Sequence, residues 1–312
     1  MSHKLTALIC MNLLILSVTP VAAIAAITAT KPASTVSEIE SDVNKALDKI
    51  TPAKNSVLNK KWKEESIATN NTLTIALFEP TYILPVYYTA NPYYSVYQNN
   101  TPDQQRIERG EFKSQLSFYV PVIRNLFYDP NKSLNISYTQ LNYWQVYASS
   151  QYFRETNYMP QLFFENHFHS NWLFRLAINH QSNGRGGNLE RSWNRLIETL
   201  ELSGDNWLIS LNVWQLIFQG GSSDVHNPDI AHYLGYENIL FTRIFYKVRA
   251  SLQLQNLESA LQRGSMTFTL SYPITKHFSL YGQLFSGYGQ SLIEYDHHTR
   301  AAGIGIAFND WI

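Results

Sequence analysis

Between residues 179 and 195 the chain reads Asn-His-Gln-Ser-Asn-Gly-Arg-Gly-Gly-Asn-Leu-Glu-Arg-Ser-Trp-Asn-Arg. Ser182 offers a hydroxyl nucleophile, and His180, two positions earlier, offers a base. A serine hydroxyl is a weak nucleophile near neutral pH. It needs a base within hydrogen-bond reach, and that base needs a third group to orient it. Side chains at i and i+2 of a β-strand point the same way. A strand over 172–182 therefore sets His180 and Ser182 side by side. Asn194 lies across a short polar loop, on what reads as the next antiparallel strand, and is the candidate third group. Backbone N–H groups around Asn183 and Gly184 are candidate oxyanion donors, the glycine allowing close approach. His-x-Ser alone is unspecific, because three polar residues at a loop rim would look the same. The run Gly184-Arg185-Gly186-Gly187 has no Gly-Lys-Ser/Thr after it, which excludes a nucleotide loop.

The strand that carries the pair has one apolar face. Trp172, Phe174, Leu176 and Ile178 share its parity, while Arg175, Asn179 and Gln181 hold the other. In a soluble sandwich the apolar face would be the core and the pair would be entombed. In a transmembrane barrel it would meet lipid, and the polar face would line the lumen. The pair would then sit on the outer wall at the rim, a sensible place to cleave lipid esters.

From Thr72 onward, strand-like runs recur between turn residues. They fall near 72–88, 111–122, 133–148, 157–167, 171–182, 192–203, 206–218, 234–245, 246–257, 264–273, 277–288 and 299–309. Leu116, Phe118, Val120 and Val122 alternate with Gln115, Ser117 and Tyr119; Met266, Phe268, Leu270 and Tyr272 alternate with Thr267, Thr269 and Ser271. The chain carries 24 basic and 24 acidic residues, so bulk charge does not draw it to nucleic acid. Mean hydropathy is −0.23, which excludes a helical membrane protein, yet Tyr numbers 20, Phe 16 and Trp 7. That combination suits a barrel in which only alternate residues meet lipid; an aromatic-rich soluble β-protein fits the composition equally well.

The N-terminus reads as an export signal over 1–27, with Lys4, an apolar core and small alanines. The only cysteine, Cys10, lies inside it. Residues 28–71 read as a periplasmic extension. Val36, Ile39, Val43 and Leu47 are spaced for a short helix over 35–50, and the polar stretch 51–71 reads as a solvated spacer. The barrel is expected over 72–312.

Four motifs in order carry a family likeness: Phe153-Arg154-Glu155-Thr156-Asn157-Tyr158; His180-x-Ser182-Asn183-Gly184-Arg185 with Arg191-Ser192-Trp193-Asn194-Arg195; Ser271-Tyr272-Pro273-Ile274-Thr275-Lys276-His277; and Ser286-Gly287-Tyr288-Gly289-Gln290-Ser291-Leu292-Ile293. Together they resemble the outer membrane phospholipase A family, from about Leu77 to Asn309. The resemblance implies an all-β, twelve-stranded antiparallel transmembrane β-barrel in the bacterial outer membrane, with the short helical extension ahead of it. It implies calcium-dependent hydrolysis of sn-1 and sn-2 acyl esters of phospholipids and lysophospholipids, by His180, Ser182 and Asn194 with Gly184 at the oxyanion. It implies a calcium-dependent homodimer whose metal is held by the Arg185 carbonyl, Glu190 and Ser150 from the second copy. Glu190 stands where the family usually has a hydroxyl, Gly187 where an acid is common, and His226 where a further acidic ligand is often found.

Several residues remain outside this scheme. His167 and His169 read as polar residues at the periplasmic end, and Asp296-His297-His298 as a solvated outer loop. Glu198 shares the parity of Asn194 and would face lipid in mid-strand. Two other functions stay open on residues alone: a non-catalytic barrel such as a porin, and a secreted soluble serine esterase.

Overall fold

A computed structural model describes residues 56–68, 75–168, 170–218, 226–259 and 262–309. The expected signal segment and the helix expected over 35–50 lie outside these residues. Twelve strands close into an antiparallel barrel. They are β2 (Thr81–Thr89), β3 (Gly110–Arg124), β4 (Lys132–Trp144), β5 (Phe153–Phe168), β6 (Trp172–Ser182), β7 (Ser192–Ser203), β8 (Trp207–Leu216), β9 (Glu237–Phe245), β10 (Val248–Gln255), β11 (Ser265–Pro273), β12 (Ser279–Gly287) and β13 (Thr299–Asn309). Each pairs with its sequence neighbours, and β13 pairs with β2 to shut the ring. A two-residue strand, β1 (Ala76–Leu77), lies against β3 outside this cycle. The run expected as one strand over 72–88 is thus broken, at Pro80, which has no N–H to give a ladder.

The alternation in sequence becomes sidedness in space. Leu116, Ile136, Leu162, Ile178, Leu284 and Ile304 point outward and are each between 43% and 54% exposed. Such a continuous apolar belt is costly in water and fits hydrocarbon. Many inward positions are polar and bonded to one another: Ser117 and Thr139 share a 2.7 Å hydrogen bond, Lys113 donates to Gln283 at 2.7 Å, and Thr199 donates to Asn212 at 2.6 Å. Lys113, Thr139, Thr199, Asn212 and Gln283 line a lumen cavity of about 440 Å³.

Both ends of the lumen are stopped. Short turns join β3–β4, β5–β6, β7–β8, β9–β10 and β11–β12 at one end, the periplasmic end in barrels of this class. There a helix, α1 (Val57–Ala68), seats Leu58 among buried Leu173 and Leu208, and its Val57 N–H donates to Gly204 at 2.9 Å. This corrects the expectation of a solvated spacer over 51–71: its charged residues hid an apolar anchor. At the loop end, Ser291–Tyr295 folds inward and all five residues are buried. Two short helices, α2 (Tyr94–Tyr97) and α3 (Ile230–Leu234), pack beside it, with Tyr97 and Ile293 in one buried cluster and Leu234 and Leu292 in another.

The closing seam depends on small residues. β2 carries a bulge at Pro85 and Val86, both exposed, where its register to β3 shifts between Leu84 and Tyr87. Across the seam, a Cβ on Gly305 would lie 2.0 Å from the Ile83 carbonyl oxygen and 2.8 Å from Pro85. The backbone must therefore move to admit any side chain. Gly305→Ala is expected to destabilise the barrel by about 1–3 kcal/mol, read as a lower urea midpoint for loss of the compact band on unheated gels. An unchanged midpoint would mean the seam tolerates the methyl group.

Candidate active site

The pairing of β6 with β7 brings the candidate trio together. His180 stands directly opposite Asn194, and Ser182 opposite Ser192. His180 Nδ1 is 2.8 Å from Asn194 Oδ1. All three residues are half-buried and lie on the outward parity, with Leu176 and Ile178 below them. Among the described residues no hydrogen bond joins the Ser182 hydroxyl to the imidazole. Such bonds commonly tighten only around a bound reactant. On β5 the register puts Tyr158 opposite Ser182 and continues at Gln161 opposite Asn179. Pro160, in the interrupted stretch, has no N–H to offer.

The inner face of the same strands is clamped by polar side chains. Trp193 donates to Gln181 at 2.8 Å, and Arg195 donates to Asn179 at 2.7 Å and to Gln181 at 3.1 Å. The Arg195 guanidinium lies 4.1 Å from the Trp193 ring centre. Every second residue thus fixes the pair of strands from inside, while the residues between them present the trio outside.

The loop from 183 to 191 is closed by one amide. Buried Asn183 accepts from the N–H groups of Arg185 at 3.3 Å and Arg191 at 3.0 Å, and its Nδ2 donates to the Leu189 carbonyl at 2.8 Å. Its own N–H donates to the Arg191 carbonyl at 3.1 Å, so it is committed and is not an oxyanion donor. The Gly184 N–H has no backbone partner among the described residues. Gly184 has φ +64°, and a Cβ there would lie 2.8 Å from the Tyr158 ring, so both conformation and space demand glycine. Asn227 grips the far side of the loop, accepting from the Ser192 N–H at 3.0 Å and donating to its carbonyl at 2.8 Å.

Behind the loop lies a buried charge cluster that the sequence reading left without a role. Arg154, 2% exposed, donates to both Glu111 oxygens at 2.9 and 2.8 Å, stands 3.0 Å from Glu294 and donates to the Tyr97 hydroxyl at 2.7 Å. Glu155 and Asn157 receive the inward segment: Ile293 N–H donates to Glu155 at 3.3 Å and Leu292 N–H to Asn157 at 2.9 Å. The Arg185 side chain turns into this cluster. Its Nε is 3.4 Å from Glu155 Oε2, and its Nη2 donates to the Arg154 carbonyl. The signal was present in the motif Phe153–Tyr158, but Arg154 and Glu155 are neighbours of opposite parity, and a bulge opposite Tyr143 and Trp144 is what lets both be buried. Tyr295 donates to Asp229 at 2.7 Å; burial, then that bond, raise its hydroxyl well above the ordinary tyrosine range.

The candidate metal ligands fall on two loops. Glu190 is half-buried next to the short 3₁₀ turn Gly187–Leu189, and its carboxylate makes no hydrogen bond among the described residues. Ser150 sits after β4, where its hydroxyl donates to Asp103 and its N–H to Gln105 at 3.1 Å. No group of three His, Cys, Asp or Glu among the described residues is placed to hold a metal. A carbonyl, a carboxylate and a hydroxyl are nevertheless the hard oxygens calcium prefers, and the neighbouring Arg185 charge is already drawn toward Glu155. His226 is half-buried in the loop before α3.

The remaining polar residues are more ordered than expected. His167 lies 2.9 Å from Glu165, which also accepts from Arg175 at 2.7 Å; His169 is outside the described residues. His297, expected in solvent, stacks on Tyr93 at 4.3 Å and bonds to the Asn91 carbonyl at 2.8 Å. Glu198 does face outward, opposite Leu176 and Val213, and is 6% exposed, with no hydrogen-bond partner for Oε2 among the described residues; nothing in the structure explains it.

A family model described as phospholipase A1 matches residues 58–308. A phospholipase A1 of Salmonella typhimurium is 39% identical over 215 residues, covering 66% of this chain and 72% of the relative. One of Proteus vulgaris is 36% identical over 257 residues, covering 77% and 83%. Among solved structures, the Salmonella typhi outer membrane phospholipase dimer with bound calcium superposes with a TM-score of 0.70 at 35% identity, over 77% of this chain and 93% of that one. The Escherichia coli outer membrane phospholipase A gives 0.68 at 34% identity, over 77% and 100%.

Removing the cation at the centre of the cluster tests how much the loop end depends on it. Arg154→Met leaves the buried Glu111 and Glu294 without their shared cation, although Gln145 still donates to Glu111 and Ser291 to Glu294. Breaking one side of a buried ion pair costs about 3–5 kcal/mol. The urea midpoint in detergent is expected to fall accordingly; a fall of less than about 1 kcal/mol would mean that water replaces the guanidinium.

Proposed function

The chain belongs to the phospholipase A1 family, and from that premise we propose that it is a calcium-dependent phospholipase of the bacterial outer membrane in which Ser182, His180 and Asn194 act as a triad. The observation that carries the reading is the 2.8 Å contact between His180 and Asn194 on the outward wall, beside Ser182. Nearly any other serine hydrolase would hide such a group in a cleft of its own chain. Here it stands where acyl esters of the outer membrane arrive.

In this mechanism Ser182 Oγ attacks the acyl carbonyl carbon while His180 Nε2 takes its proton. Asn194 Oδ1, accepting from Nδ1–H, keeps Nε2 free to do so. The Gly184 N–H donates to the developing oxyanion. The tetrahedral carbon then expels the glycerol oxygen, which leaves as lysophospholipid with the proton from His180. Water, activated by the same base, releases the fatty acid and restores Ser182. The Arg185 carbonyl, the Glu190 carboxylate and Ser150 of the partner subunit would hold calcium. When bound, it supplies positive charge next to the oxyanion. A homodimer packed through the face bearing Leu176 and Ile178 would close a pocket around the acyl chain that one flat wall lacks. The porin alternative is weakened by the lumen itself, stopped by α1 at one end and by Ser291–Tyr295 at the other.

Hydrolysis of phospholipid in mixed micelles tests the whole reading. Wild-type protein should turn over with calcium, stop on chelation and recover when calcium returns. Ser182→Ala and His180→Ala should each lose about 10³-fold or more while the barrel stays folded. Asn194→Ala should lose less than His180→Ala, because the base remains. Wild-type turnover in folded Ser182→Ala would end the triad assignment. Cross-linking should show dimer rising with calcium in step with activity, and full activity in a persistent monomer would refute the shared pocket.

A further inference from the structure

We propose that Glu155 and Arg185 form a positioning pair that holds the 183–190 loop against the barrel, fixing the Gly184 amide and the Arg185 carbonyl from behind. This rests on the phospholipase reading for what those two backbone groups do, but the tether itself is a matter of geometry.

Three observations converge on it. The first is a charge count. Glu111, Glu155 and Glu294 are 0–1% exposed, and Arg154 is shared by Glu111 and Glu294. Glu155 Oε1 is served by Asn157 at 2.9 Å and by the Ile293 N–H. Among the described residues its Oε2 makes no hydrogen bond, and its one ion-pair neighbour is Arg185 Nε at 3.4 Å. The second is direction. Arg185 sits on a loop outside the strands, yet its side chain runs inward to Glu155 and the Arg154 carbonyl. The charge is therefore kept away from the cation side of the loop. The third is the glycines. A Cβ on Gly186 or Gly187 would meet nothing within 4 Å, so close packing does not require them, although the φ of +59° at Gly187 favours glycine there. They leave the backbone free. Asn183 ties the loop to itself, and Arg185, which stands among the glycines, is the side chain that ties it to the barrel behind.

Neither residue's side chain reaches the reacting atoms in this scheme. The pair acts through the backbone of the loop. Losing it should loosen the calcium ligand and the oxyanion donor together, while Asn183 and Asn227 still keep the loop ends on β6 and β7.

The experiment uses the full chain folded in detergent, as wild type, Glu155→Gln, Arg185→Lys, Arg185→Met and the double variant Glu155→Gln/Arg185→Met. The calcium concentration giving half-maximal hydrolysis is measured for each. Trypsin cleavage after Arg185 is measured without calcium for wild type and Glu155→Gln. Glu155→Gln and Arg185→Met should each need about 10-fold or more calcium, the scale found when a group orienting a metal ligand is removed. Arg185→Lys should stay closer to wild type than Arg185→Met, and the double variant should be no worse than the worse single. Trypsin should cut Glu155→Gln at Arg185 while wild type resists. A lower melting point with unchanged calcium requirement would mark a merely structural role and overturn the proposal. If Glu155→Gln does not fold, equal calcium requirement in Arg185→Lys and Arg185→Met overturns it instead. If wild type hydrolyses nothing, the phospholipase reading fails, and the trypsin comparison still decides the tether: equal resistance or equal cutting sinks it.

Discussion

A single guanidinium, that of Arg154, holds the loop end of this barrel together. Its two carboxylate partners come from distant parts of the chain, Glu111 at the start of β3 and Glu294 from the segment before β13. A buried cation left alone would cost several kcal/mol, and so would each carboxylate. All three elements must therefore arrive in place together. Once they do, Glu155 and Asn157, on the same strand as Arg154, receive the inward backbone of Leu292 and Ile293. The lumen is stopped at that end by contacts to β5, the strand paired with the one that carries His180.

The wall works because a strand has two faces. On β6 and β7 the inward residues Asn179, Gln181, Trp193 and Arg195 lock to one another, and the outward residues His180, Ser182 and Asn194 are presented to lipid. A shift of one residue in pairing would send every side chain to the other face. The apolar belt below the trio and the polar ladder behind it both oppose that slip. The register that puts His180 opposite Asn194 is thus set by residues that take no part in chemistry.

This division explains what could be read from the sequence. Period-2 alternation gave the outward face, and β6 and β7 fall within one residue of the expected spans, because lipid and lumen impose opposite polarity on neighbours. The trio was legible because i, i+2 spacing fixes sidedness. The opposing partner needed only a short loop. The spacer over 51–71 misled because its buried apolar residues, Val57 and Leu58, are adjacent and followed by a run of Lys and Glu, and two neighbouring anchors show no helical periodicity. The role of Arg154, Glu155 and Glu294 was hidden for another reason. Their partners are separated by many tens of residues, and no local pattern marks an inward charge as paired. His297 and its stack on Tyr93 escaped in the same way.

The cost of placing a carboxylate on a lipid-facing wall is one explanation of the neutral Asn194. Glu198 weakens that explanation, since a carboxyl group sits on the same face four residues away, 6% exposed and with one oxygen unpartnered among the described residues. The geometry offers a better one. An amide oxygen 2.8 Å from Nδ1 can only accept, so Nδ1 must carry the proton and Nε2 must present a lone pair. That is the tautomer a base toward Ser182 requires. A carboxylate would impose the same tautomer and would stabilise the imidazolium more strongly, but it would add a negative charge near an oxyanion that is already negative. In the proposed mechanism calcium would supply the countercharge from the loop side, which leaves orientation to the third residue, and an amide is sufficient for that.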